Sequence, residues 1–82
     1  MLPKKDILQK AFGNHVKQLR VNKNLTQIDV SSRMDKDQQS LQRVESGNVA
    51  PSLYYLFELA QGLGVSITEL MGFKIPAKKK KK

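Results

Sequence analysis

The chain has no cysteine among its 82 residues. Disulfides and thiolate zinc sites are therefore excluded as sources of stability. A single histidine, His15, is too little to build a metal centre, and nothing resembles the His-Glu-x-x-His pattern. No apolar run approaches the roughly 20 residues that cross a bilayer, and Met1–Asp6 lacks the apolar stretch of a signal peptide. A cytoplasmic location without membrane attachment is expected. Gly62-Leu63-Gly64 has neither the preceding strand nor the glycine spacing of a nucleotide loop and reads as a helix end. With no phosphate loop, metal cluster or recognisable acid–base pair, neither an enzyme nor a cofactor is expected.

Acidic residues are also scarce: seven, against fifteen Lys and Arg, for a formal charge of +8 and a pI of about 10.0. Such a balance suits a polyanionic partner. Lys78–Lys82 supplies five of those charges, however, leaving +3 for residues 1–77. Basicity alone therefore argues little for specific binding.

What is present is helical periodicity, in five segments and one small all-α domain over residues 1–75. The first helix is expected from about Lys4 to Lys23, with Leu8, Phe12, Val16 and Leu19 on one face. Asn24 stands where a helix often ends in the left-handed conformation. Thr26 and Asp29 resemble an N-cap with an acidic partner, opening a second helix whose Val30 and Met34 point inward. Asp37 caps a third helix, Gln38 to about Ser46, with Leu41 and Val44 buried. Gly47 stops it. The fourth helix follows Pro51-Ser52 with the stripe Leu53, Leu56, Leu59, Ala60 and Leu63. Ser66-Ile67-Thr68-Glu69 reads as a capping box for a short fifth helix ending near Met71.

Chemistry concentrates in the third helix. Gln38, Gln39, Gln42 and Arg43 place long amides and a guanidinium on one side of a short helix. Gln bonds bidentately to adenine and Arg to guanine through base edges in the DNA major groove. A solvated face is also polar, but these residues open the second helix of a helix-turn-helix, spanning about 26–46, the element whose start meets those edges. Double-stranded DNA is the expected partner, with nucleoid association when bound.

From Phe12 to Met71, about three quarters of the chain, the sequence resembles the Cro/C1-type helix-turn-helix domains of the Xre family. The matching residues are Phe12-Gly13, Val16, Leu19-Arg20, Leu25-Thr26-Gln27, Arg43-Val44-Glu45-Ser46-Gly47, Pro51-Ser52-Leu53, Leu63-Gly64-Val65-Ser66 and Glu69-Leu70. Gln38-Gln39-Ser40 is similar to the recognition-helix start of lambdoid phage repressors. The resemblance implies a compact five-helix, lambda-repressor-like fold and a sequence-specific transcriptional regulator, a repressor, with Gln38, Gln39, Gln42 and Arg43 reading bases. It implies phosphate contacts from Gln27, Lys36, Ser40, Gly47 and Asn48, and a structural ion pair between Arg20 and Glu45. Asp35 and Lys36 depart from the family, replacing the usual turn glycine and an apolar neighbour. Asp tolerates positive φ, and the lysine stem can cover core.

Relatives of this kind often form two-fold dimers on palindromic operators, and the apolar patch Leu70, Met71, Phe73 and Ile75 is the expected homodimer interface. The alternative is an antitoxin or adaptor of the same fold, with a protein partner such as a toxin or another regulator at the patch around Phe73. His15, one position off the apolar stripe, is expected to be a partly exposed surface residue. Tyr54, Tyr55 and Phe57 are expected to pack on or rim the fourth helix, facing away from DNA. Residues 76–82 are expected to be a disordered lysine-rich tail.

Overall fold

Side-chain caps decide where four of the five helices begin. In the computed structural model, which describes residues 2–76, these are α1 (Lys5–Asn22), α2 (Gln27–Arg33), α3 (Gln38–Glu45), α4 (Leu53–Leu63) and α5 (Ile67–Leu70). Each cap oxygen of Thr26, Asp37, Ser52 and Ser66 accepts the backbone N–H three residues on, satisfying one of the donors a helix start leaves open. At α2 the box closes in both directions: Asp29 N–H donates to Thr26 Oγ1 at 3.0 Å and Thr26 N–H to Asp29 Oδ2 at 2.8 Å. At α5 it closes halfway. Ser66 accepts from Glu69 N–H at 2.9 Å, but among the described residues the Glu69 carboxylate returns no bond. The residues expected as a lysine tail lie outside the described region beyond Pro76.

The two turns that matter most for α3 use non-glycine residues at positive φ. Asn24 (φ 59°) ends the α1–α2 turn, and Asp35 (φ 57°) ends α2, as expected from their tolerance of that region. Lys36 N–H then reaches back to the Ser31 carbonyl at 2.9 Å, closing the turn before Asp37 starts α3.

The core is one cluster drawing on all five helices: Phe12 and Val16, Val30 and Met34, Leu41 and Val44, Leu59, Ala60 and Leu63, and Leu70. Each fully buried aliphatic contributes roughly 1.5–3 kcal/mol. Packing matters more than propensity here, because helices of seven or eight residues are too short to persist alone. α1 packs on α3 and α5, while α2 lies between α3 and α4. Gly13 sits at the α1–α3 crossing, where an added Cβ would lie 2.6 Å from the Glu45 carbonyl oxygen. Only a residue without a side chain permits that approach.

One expectation needs correction here. Leu53 is 72% exposed rather than part of the buried stripe. It is the first residue of α4, whereas α2 contacts the other end, with Met34 and Val30 against Gly62. Of the aromatic residues expected to pack on or rim α4, Tyr55 is the one that packs inward, its hydroxyl 3.3 Å from Ser40 Oγ on α3. Burial pushes the Tyr55 phenol above its ordinary pKa. His15 is partly exposed, as expected, and it also makes contacts: Nε2–H donates to the Glu69 carbonyl at 3.0 Å, and its ring tilts over Phe73 at 5.9 Å.

Gly13→Ala should lower stability by about 1–3 kcal/mol, the usual cost of overpacking, read as a shift in urea midpoint at constant slope. The Thr26 bonds hold the Asp29 carboxyl below its usual value of 3.8. A depressed folded pKa gives stability that is present above the unfolded value and lost as pH falls through the folded one. The acid limb of stability below about pH 4 should therefore be shallower in Asp29→Asn than in the parent, as measured by thermal unfolding across pH.

Candidate nucleic-acid interface

α3 divides cleanly into two faces. Leu41, Val44 and Glu45 are buried, and Gln38, Gln39, Gln42 and Arg43 are all exposed. Spacings of one, four and five put the four long polar residues on a single stripe. Among the described residues, the side chains of Gln39, Gln42 and Arg43 take part in no hydrogen bond or ion pair. They are free to engage a partner.

Behind this stripe lies a buried carboxylate. Glu45 Oε2 accepts from Arg20 Nε at 2.7 Å, and Oε1 accepts from Arg20 Nη2 at 3.0 Å, a bidentate pair between α1 and the end of α3. Arg20 Nη1 also donates to the Leu25 carbonyl at 2.8 Å, fixing the α1–α2 turn. The side chains of the pair are only 11% and 5% exposed. The bond to Glu45 raises the Arg20 pKa further above its ordinary value, so the guanidinium stays charged.

Gln27 carries this network to the exposed stripe. Its Nε2 donates to Glu45 Oε1 at 3.0 Å, and its Oε1 accepts from Gln38 Nε2 at 3.2 Å. Gln38 is thereby held from behind by one N–H. It retains a second N–H and its carbonyl oxygen, the donor–acceptor pair for which adenine presents a match in the major groove. Nothing in the residue pattern announces this link, because residues 27, 38 and 45 lie on two helices and meet only after folding.

The residues expected at phosphates fall into two groups. Asn48 is exposed, and Ser40 sits half-buried in the first turn of α3, its hydroxyl donating to the Asp37 carbonyl at 3.1 Å. The others are engaged internally. Lys36 Nζ reaches Glu58 Oε1 at 3.4 Å, a partly exposed pair worth little on its own. Gly47 is buried at φ 78°, its N–H bonded to Val44 O and its carbonyl accepting from Gln9 Nε2 at 3.0 Å. Its backbone donor is already used, so it builds the turn instead of offering a contact.

Of the expected dimer residues, Leu70 is fully buried in the monomer core and contributes no surface. Phe73 is half-buried, edge-on to Phe12 at a centroid distance of 5.4 Å. Met71 and Ile75 are exposed. A second apolar surface, missed in the sequence, lies on α4, where Leu53, Tyr54 and Phe57 are each more than half exposed.

Residues 16–70 match the helix-turn-helix family model HTH_3. The HTH-type transcriptional regulator y4dJ of Sinorhizobium fredii is 42% identical over 64 residues, covering 78% of this chain and 83% of the relative. Control protein C.MunI of a Mycoplasma species is 35% identical over 60 residues, 72% of this chain and 81% of that protein. Among solved structures, the restriction-modification controller protein C.AhdI of Aeromonas hydrophila superposes with a TM-score of 0.73 at 28% identity, covering 83% of this chain and all of that one.

Removing one partner of the buried pair strands the other charge. Glu45→Ala and Arg20→Ala should each cost about 3–5 kcal/mol by chemical denaturation. The double variant should be less destabilised than the sum of the two singles, as a double-mutant cycle would read.

Proposed function

The chain belongs to the helix-turn-helix family of transcriptional regulators, and we propose that it binds a specific DNA operator by inserting α3 into the major groove. The observation that carries this is the α3 stripe: four long side chains, exposed and with hydrogen-bonding groups to spare, over a face otherwise locked to the core. Gln38 and Gln39, at the start of α3, read adenines, and Gln42 and Arg43, one turn on, reach further along the groove, Arg43 toward guanine. Gln27 orients Gln38, and Asn48 and Ser40 contact phosphates that set the register without reading sequence.

The chain acts as a homodimer on a palindromic operator, repressing transcription where that site overlaps a promoter. Exposed Met71 and Ile75, with the outer edge of Phe73, form the self-complementary surface of such a dimer, and a two-fold protein reads an inverted repeat. The similarity to controller and regulator proteins supports the regulatory role. Residues 1–75 constitute the binding domain in this reading.

Selection of bound sequences from a random duplex pool at near-physiological salt should enrich an inverted repeat. Gln38→Ala with Gln39→Ala should remove that preference with helicity unchanged, each missing bidentate pairing costing about 1–3 kcal/mol of discrimination. Binding without enrichment that collapses as salt rises would contradict base reading by α3 and favour a protein partner instead.

A further inference from the structure

The side of the interface beyond α3 has an electrostatic gap. From Ser46 to Phe57, through the α3–α4 loop and half of α4, there is no charged residue. Of the nearby cations, Arg43 belongs to the base-reading stripe, and Lys36 precedes the opposite end of α3, beside Glu58. Yet affinity for duplex DNA rests largely on cations that displace counterions from phosphates.

Folding brings the missing charge from another helix. Six of the ten Lys and Arg residues outside 78–82 lie between Lys4 and Lys23. Three of these, Lys4, Lys5 and Lys10, sit at the start of α1 beside the α3–α4 loop. An open cleft has Lys4, Lys5, Asp6 and Gln9 on one wall and residues 48–50 on the other. The walls are fastened together: Gln9 Nε2 donates to the Gly47 carbonyl at 3.0 Å, and the Lys10 stem packs so closely that a Cβ on Gly47 would lie 2.6 Å from Lys10 Cγ. Among the described residues none of the three lysines has an acidic partner within ion-pair distance. Asp6 shares the cleft, with Oδ1 accepting from the Ile7 N–H at 2.9 Å, and offsets one of the three charges.

We propose that the first turn of α1 is a second contact to the DNA backbone, in which Lys4 and Lys5 neutralise phosphates flanking the segment read by α3. Asn48 supplies the uncharged hydrogen bond from the facing wall, and Gln9 and Lys10 hold the two walls in register. The proposal rests on the reading of α3 as the groove helix. It assigns the flanking charge to the ordered end of α1, distinct from the terminal lysine run.

The test uses the full chain with Lys4→Gln and Lys5→Gln together, and with Lys4→Arg and Lys5→Arg as the charge-retaining control. Both positions are exposed, so folding should be unaffected by circular dichroism. On the selected operator, the glutamine variant should show a salt dependence of log K shallower by about 0.9 for each phosphate it no longer neutralises. Its ratio of operator to mismatched-site affinity should not change, and the arginine variant should retain the parent slope. Phosphate-ethylation interference should also lose its outermost positions in the glutamine variant alone. An unchanged slope and unchanged interference pattern would overturn the proposal. Failure of the α3 reading shows separately, as indifference of sequence preference to Gln38→Ala and Gln39→Ala. In that event the slope on a random duplex still decides for or against the lysines.

Discussion

A buried carboxylate must be surrounded by donors, and the way Glu45 meets that requirement sets the geometry of this molecule. Its two oxygens take three hydrogen bonds, two from Arg20 on α1 and one from Gln27 on α2. Satisfying one side chain at the end of α3 therefore fixes three helices relative to one another. An ion pair in the interior is not in itself strong evidence of stability, since desolvation opposes it. Its value here is positional: any rotation of α3 about its axis would break bonds to both neighbouring helices.

That constraint explains how an eight-residue helix can be rigid enough to present side chains to a partner. α3 is too short to hold itself together. It is capped by Asp37 at one end, clamped through Glu45 at the other, and pressed against α1 where Gly13 allows backbone-level approach. Leu41 and Val44 anchor the middle in the core. The exposed stripe inherits this rigidity, and Gln38 inherits it most directly through Gln27. A side chain pre-positioned in this way gives up less rotational freedom on binding, which favours affinity for a matching base.

Features that depend on local chemistry were legible in the sequence. The four caps, the left-handed Asn24 and Asp35, and most of the buried stripe follow from residue type and spacing within a few positions. Features that depend on which elements meet were not. Leu53 has the spacing of a core residue but lies past the reach of α2, and Leu70, expected at the surface, is fully enclosed. Neighbouring Tyr54 and Tyr55 are about 100° apart around α4, so one faces solvent and the other Ser40. The Arg20–Glu45 pair was foreseeable only through family resemblance; its extension through Gln27 to Gln38 came from the three-dimensional arrangement alone.

Gln27 joins the buried carboxylate to Gln38, which we propose reads a base, and Gln27→Ala tests that link most directly. Affinity of this variant would be measured for the preferred operator and for duplexes substituted at each position in turn. If Gln27 orients Gln38, discrimination should collapse at the base Gln38 reads, with preferences at the other bases retained and the fold intact. A loss of affinity equal on every sequence, with discrimination unchanged at all positions, would make Gln27 a phosphate contact and contradict the link.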